Sequence, residues 1–270
     1  MSSSASCSRR GRTCFRTSTS TSSAKLVDDA PPVPFEELRS TIDQELDADA
    51  FARIDNEPLA SASIAQVHAA LLKDGREVVV KVRRPGVKEQ VALDLDVLRS
   101  TVRFRHKRSE TAQLLQLEAL ADELEVHLRA ELDLREEAHN TEVVGRAIED
   151  FPELLVAKVV HPHVTEEVLV LERIHGKKVT PEHGLSAEQA EHLAREFFRS
   201  YIRQVTVEGV YHADPHTGNV LLTEDGRLVL LDFGLLGRLD DDTRTTLSLL
   251  LLAIARNRTD DAASLLLGCR

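Results

Sequence analysis

Late in this chain two short segments stand in a fixed order, His212-Ala-Asp-Pro-His-Thr-Gly-Asn219 and then Leu231-Asp-Phe-Gly234. Asp214 and Asn219 are five residues apart, so one loop can turn back and aim both side chains at one point. Asn219–Leu222, the Asp225-Gly226 turn and Arg227–Leu231 read as a hairpin. A hairpin returns the chain to its start and delivers Asp232 beside the Asp214–Asn219 loop. Whatever fold the chain adopts must bring two carboxylates and an amide together there.

That grouping has a chemical reading. One carboxylate faces an attacking group, while an amide oxygen and a second carboxylate hold Mg2+ on phosphates. Asp-Phe-Gly alone is also an ordinary turn, and His212, Asp214 and His216 alone could be a hydrolase-type metal cluster. The order of the segments and the hairpin between them favour a site of protein-kinase type, with Asp214 in the catalytic loop and Asn219 and Asp232 on the metal.

A second signal is Val78-Val-Val-Lys-Val82. A Lys in a buried β-branched strand is costly unless it meets negative charge, and the α- and β-phosphates of ATP would supply it. Taken alone, Lys81 would be an edge residue with its tip in water. Such a Lys needs a helix-borne carboxylate to orient it, and Glu131-Leu-Asp-Leu-Arg-Glu-Glu137 offers several, although that run alone would be a solvated face. A third signal is Pro58-Leu-Ala-Ser-Ala-Ser-Ile-Ala-Gln-Val-His68, placed where a phosphate loop would lie yet without glycine. The Cβ atoms of Ala60, Ser61, Ala62 and Ser63 resist φ > 0 and close approach, so this loop must cover a nucleotide with a stiffer backbone.

Around these segments the patterning is α+β. An amphipathic helix is expected over 35–49, with Phe35, Leu38, Ile42 and Leu46 at helical spacing. Strands over Ser63–Leu72 and Glu77–Val82 flank the Asp74-Gly75 turn. Helices follow over about Val87–Phe104 and, as one long element, about Glu110–Glu149. Val168–Glu172 reads as a strand. Ser186, with Glu188 and Gln189, opens a helix reaching about Val207, and Asp242–Arg256 and Asp260–Leu267 read as helices. The expectation is a sheet-bearing first lobe over 31–175 and a partial helical second lobe over 176–270.

The formal charge of −11 excludes a nucleic-acid partner, which would require a basic face. Residues 1–25 hold Arg9, Arg10, Arg12, Arg16 and Lys25 with no acid, leaving 29 basic and 45 acidic side chains in the remainder. Counter-charges for a bound triphosphate must therefore be local. Residues 1–30, Ser/Thr/Arg-rich at their start, lack an apolar run and are expected to be disordered or a mis-assigned start, with a transit peptide as the alternative. Cys7, Cys14 and Cys269 form no CxxC pair, which fits a reducing compartment. His161 and His163 are expected to be surface residues. The apolar run Leu247–Ala255 is too short to span a bilayer, and the expected location is cytoplasmic or at a membrane surface.

PLASASIAQVH, VVVKVRRPGV, ELDLREEAHN, HADPHTGN and LLDFG, in this order, resemble the signature segments of the UbiB/ADCK (AarF-domain) atypical kinases over about Asp29–Leu239. The resemblance implies a protein-kinase-like two-lobed fold that binds ATP and Mg2+. It makes Ala60–Ser63 the alanine-rich loop, Lys81 the phosphate-binding lysine and Glu137 its ion-pair partner. Glu131 and Asp133 become the ExD motif, which sits near the nucleotide and restrains protein phosphorylation. Asp214 becomes the catalytic-loop carboxylate, Asn219 and Asp232 the Mg2+ ligands, and backbone around Glu172 to Ile174 the adenine contact. It further implies a role in isoprenoid-quinone biosynthesis, with quinone-precursor lipids, a membrane surface and the pathway's enzymes as partners.

The family's KxGQ motif has no counterpart in residues 1–28, and only 38 residues follow Asp232, so the chain is read as a fragment. Ala213 replaces the arginine of conventional kinases, His216 their phosphate-contacting lysine, and no APE follows Gly234. Two alternatives remain: a small-molecule phosphotransferase of aminoglycoside/choline-kinase type, and a silent nucleotide-binding scaffold.

Overall fold

The computed structural model describes residues 30–106, 117–180, 185–213 and 215–268. Its first half is built on an antiparallel sheet of five strands in the order β1 (Phe51–Ser61), β2 (Ala65–Leu72), β3 (Glu77–Arg83), β6 (Val168–Glu172) and β5 (Val159–Val164). Side chains alternate between faces along a strand. On β3 this sends Val78, Val80 and Val82, all fully buried, beneath helix α1 (Phe35–Glu45), where Leu38 and Ile42 meet them. Val79 and Lys81 turn to the opposite face, and Lys81 is registered against Val67 on β2 and Leu169 on β6.

Three sequence expectations need correction here. Helix α1 ends at Glu45 rather than 49, because Leu46 is extended and the Asp47 side chain accepts from Asp49 N to cap a 3-10 turn over Ala48–Ala50. The second strand begins at Ala65, not Ser63; before it lies an eleven-residue strand, β1, that the sequence pattern hid. Polar Arg53, Asp55, Asn56 and Glu57 and then Pro58 look like loop, but β1 is an edge strand. There one face is solvated, and a proline without an N–H is tolerated at a register shift.

The third correction concerns the long helix. After α2 (Val87–His106), the described chain forms α3 (Leu117–Glu131) and α4 (Leu134–Ala147), broken at Leu132-Asp133. Asp133 is an N-cap: its carboxylate accepts from Arg135 N at 3.0 Å. The freed Leu132 carbonyl accepts from the buried Arg83 guanidinium at 2.7 Å, while Arg83 also pairs with Glu166 and Glu167. A capping residue mid-pattern and a buried cation together outweigh helical continuity.

Helix α4 joins two cores. Its Leu134 and Ala138 pack under the sheet on Leu169. Its Val144 and the following Ile148 enter a second core with Phe151, Leu193, Leu230 and Phe233. The second half opens with α5 (Ala187–Arg203), whose start is the expected capping box between Ser186 and Gln189. The helix widens into a π turn over Gln204–Glu208, and Gly209 ends it at φ +68°, a conformation glycine adopts without Cβ strain.

The expected hairpin is present as β9 (Val220–Leu222) and β10 (Leu228–Leu230), joined by β4 (Leu154–Val156), parallel to β10, and β7 (Lys177–Lys178). β8 (Val210–His212) pairs with β11 (Leu236–Arg238), and α6 (Asp241–Ala255) and α7 (Thr259–Gly268) are the last elements of the described residues. The architecture is α+β, sheet first and mainly helix after. Among the described residues no helix is long and apolar enough to cross a membrane.

Candidate active site

Lys81 projects from the face of β3 turned away from α1, and α4 carries Glu137 up to it. Lys81 Nζ donates to both Glu137 carboxylate oxygens at 2.7 Å. Asp232 Oδ1 lies 3.7 Å from the same nitrogen. Residues separated by 56 and 151 positions in the chain thus meet at one ammonium group. Lys81 and Glu137 are largely shielded, with side chains 19% and 8% exposed, whereas Asp232 is half open at 52%.

The charges respond to one another. Burial alone would pull Lys81 down, but Glu137 and then Asp232 outweigh it and hold the ammonium charged well above the ordinary lysine range. Burial pushes Glu137 up, against the pull of Lys81. Lys81 holds Asp232 below the usual carboxylate range against partial desolvation, with help from Gly234 N, 3.3 Å from Oδ1. Partial desolvation and the Asp232 charge push Glu131 up. Two carboxylates of one site are thereby driven apart in acidity.

Backbone geometry aims Asp232. Its φ of +58° is left-handed, unusual for a residue with a Cβ and a recurrent feature of functional sites. The next residue, Phe233, is buried in the second core and is held at two points. Asn140 Nδ2 donates to its carbonyl at 2.9 Å, and the His212 ring packs on its ring with centroids 5.3 Å apart.

Glu131, His212, Asn219, Asp232 and Gly234 line a cavity of about 520 Å3 together with Leu120, Leu124, Leu128 and Leu235. The structure therefore brings together Lys81, Glu137, Asp232, Asn219 and Glu131. Asp214 lies outside the described residues. Asp133 is diverted to capping α4 and to an ion pair with Arg135 at 2.6 Å, which lowers its pKa.

Ala60 and Ser61 close β1, and Ala62–Ile64 make the turn into β2. At the end of β6, Glu172 N donates to Lys158 O and Arg173 N to Glu77 O. Ile174 has no hydrogen bond to another described residue, leaving its backbone groups available to a ligand.

The histidines have structural work. His216 Nδ1 accepts from Gly218 N at 3.0 Å, capping the 3-10 turn that presents Asn219. His161 meets Glu142 at 2.7 Å and is exposed, and His163 packs on Phe51. No group of three or more His, Cys, Asp or Glu is placed to hold a metal among the described residues. Mg2+ on phosphates needs only one or two protein oxygens, and Asn219 and Asp232, which line one cavity, are side chains that could supply them.

Sequence reasoning passed over Asn140 and Arg83. Asn140 lies three residues after Glu137 and hence on the same helical face. Arg83 follows Lys81 by two and stays buried by answering three acceptors.

The profile of the ABC1 atypical kinase-like domain matches residues 25–266. The chain is 38% identical over 201 residues to a probable protein kinase UbiB from Xylella fastidiosa, covering 70% of this chain and 36% of that protein. It is 35% identical over 231 residues to the chloroplastic Activity of BC1 complex kinase 8 of Arabidopsis thaliana, covering 82% and 30%. A solved Mycobacterium tuberculosis protein, Rv3197 in complex with erythromycin, superposes with a TM-score of 0.70 at 28% identity, covering 87% of this chain and 60% of that one. Across these and other curated relatives, the chain spans from 30% to 60% of their length.

Proposed function

Because this chain belongs to the ABC1 atypical kinase-like family, we propose that it binds Mg2+-ATP in the Lys81 cleft and transfers or hydrolyses its γ-phosphoryl group. The observation that carries this reading is Lys81 Nζ held between Glu137 at 2.7 Å and Asp232 at 3.7 Å, with Asp232 in turn lining a cavity together with Asn219. Lys81 is charged and fixed in place by Glu137, as suits a lysine that meets the α- and β-phosphates. Glu137 keeps it there. Asn219 and Asp232 hold Mg2+, which when bound neutralises charge on the phosphates. Asp214 accepts the proton of the attacking hydroxyl or water, and the backbone at Ile174 meets adenine. The Ala60–Ser63 loop covers the phosphates.

The acceptor side of the cavity favours an amphiphile over a peptide. Leu120, Leu124, Leu128 and Leu235 line it together with Glu123, Glu131 and Asp232, a mixed lining that suits a polar head on an apolar body. Together with the resemblance to UbiB/ADCK proteins, this supports a role in handling isoprenoid-quinone precursors at a membrane surface, alongside the enzymes of that pathway.

Mg2+-ATP should stabilise the protein by about 2.7 kcal/mol at a hundredfold excess over Kd, and Asp232→Asn should remove most of that gain. A thermal midpoint indifferent to Mg2+-ATP in the unaltered protein sinks the proposal.

A further inference from the structure

The nucleotide-side loop is fastened from behind. Gln66 is registered against Val82 on β3, so it faces α1 rather than Lys81, and it is fully buried. Its amide is used at every position. Oε1 accepts from Val33 N at 2.9 Å and from Ser61 Oγ at 3.3 Å. Nε2 donates to Val33 O at 3.3 Å and lies 3.0 Å from His68 Nε2. His68 therefore accepts there and donates from Nδ1 to Asp55 O, 2.8 Å away on β1. Only one orientation of the Gln66 amide satisfies both Val33 groups.

Arg84 makes a second fastening. Its Nη2 donates to Pro31 O at 2.6 Å and its Nη1 to Ala62 O at 3.2 Å, while its own backbone N donates to Ile64 O at 2.8 Å. Ala62 N closes the turn onto Ala65 O at 2.9 Å. The stretch Pro31–Val33 and the loop Ser61–Ile64 thus share two side chains, Gln66 joining Val33 to Ser61 and Arg84 joining Pro31 to Ala62. The loop contains no glycine, so its conformation depends on such outside partners more than on backbone freedom.

We infer that, granted the nucleotide reading above, Gln66 and Arg84 are positioning residues. They hold Ser61–Ile64 in the shape that meets the phosphates, using Pro31–Val33 as a strap on the far side of the sheet. Loosening the strap frees the loop and weakens the grip on phosphate while leaving the adenine contact at the end of β6 intact. Phosphate affinity is thereby coupled to whatever pulls on the chain ahead of α1.

Arg84→Met and Gln66→Leu in the full chain test this. Arg84 is partly exposed, so its variant keeps the test informative if the buried change at Gln66 prevents folding. Amide exchange of residues 61–65 is read without nucleotide, and Kd is measured for Mg2+-ATP and for adenosine. Arg84→Met should speed exchange at Ala62 and weaken Mg2+-ATP by roughly threefold to tenfold, the scale of a lost hydrogen bond, with adenosine unchanged. Equal losses for both ligands, or a loop whose exchange does not respond, overturn the inference. If the unaltered protein binds no Mg2+-ATP, the nucleotide reading falls and takes this inference with it. Retained binding with an unmoved loop overturns the inference alone.

Discussion

Asn140 Nδ2 donates to the carbonyl oxygen of Phe233 at 2.9 Å, with both residues buried. One turn earlier on the same helix, Glu137 holds Lys81. A single face of α4 therefore sets the lysine on one side of the cleft and the backbone beside Asp232 on the other. Asn140→Leu leaves a buried carbonyl unpaired, which should cost about 1–3 kcal/mol in urea unfolding. It should also weaken Mg2+-ATP binding, although Asn140 lines no part of the cavity. Unchanged nucleotide affinity would reduce this contact to packing alone.

The Lys81–Glu137 pair should be asymmetric to mutation. Lys81→Met strands a buried carboxylate and is expected to destabilise by about 3–5 kcal/mol. Adding Glu137→Leu should recover much of that loss while leaving nucleotide binding abolished. In Lys81→Met, Glu137 loses the cation that pulls its already raised pKa down. The folded state then holds its proton more tightly than the unfolded chain, so stability falls as pH rises above the ordinary glutamate value and recovers on acidification. Parallel pH curves for the variant and the parent would contradict this.

Glu131 and Asp133 should part company. Glu131 has a raised pKa in the folded protein, so its ionisation opposes folding above that pKa and the cost vanishes below the unfolded value. Glu131→Gln is expected to raise the thermal midpoint at pH 7, with no gain near pH 4. Asp133→Ala should instead cost about 1 kcal/mol as a lost N-cap and leave Mg2+-ATP affinity alone. Comparable nucleotide defects in both variants would defeat the distinction.

Gly237 tests the floor of the second lobe. A Cβ there would fall 2.2 Å from Tyr211 Cζ, across the β8–β11 pair. Gly237→Ala should destabilise by about 1–3 kcal/mol through overpacking, and a Tyr211→Ala background should relieve the penalty. At Gly234 the same addition meets Asp232 Oδ1 at 3.4 Å and Glu131 Cγ at 4.0 Å, ordinary contact. Gly234→Ala should therefore fold as well as the parent, as circular dichroism melting would report.

The sequence alone was enough to read the α+β class, the hairpin between Asn219 and Asp232, the capping box at Ser186, and Lys81, Asn219 and Asp232 as candidates for one site. Each of these is a local signal: periodicity, a turn dipeptide, a short motif, or a charge in a run where burial would otherwise be costly. Tertiary structure decided the rest. Edge placement made a strand of Arg53–Pro58, and Arg83, reached across the sheet, helped end α3 at Glu131. The same junction separated Glu131, in the cleft, from Asp133, two residues on and spent on a helix cap. Gln66 and Asn140 acquire meaning only from Val33 and Phe233, far away in the chain. A hydrogen bond between distant residues leaves no periodic trace, because its partner is chosen by packing and not by neighbours in sequence.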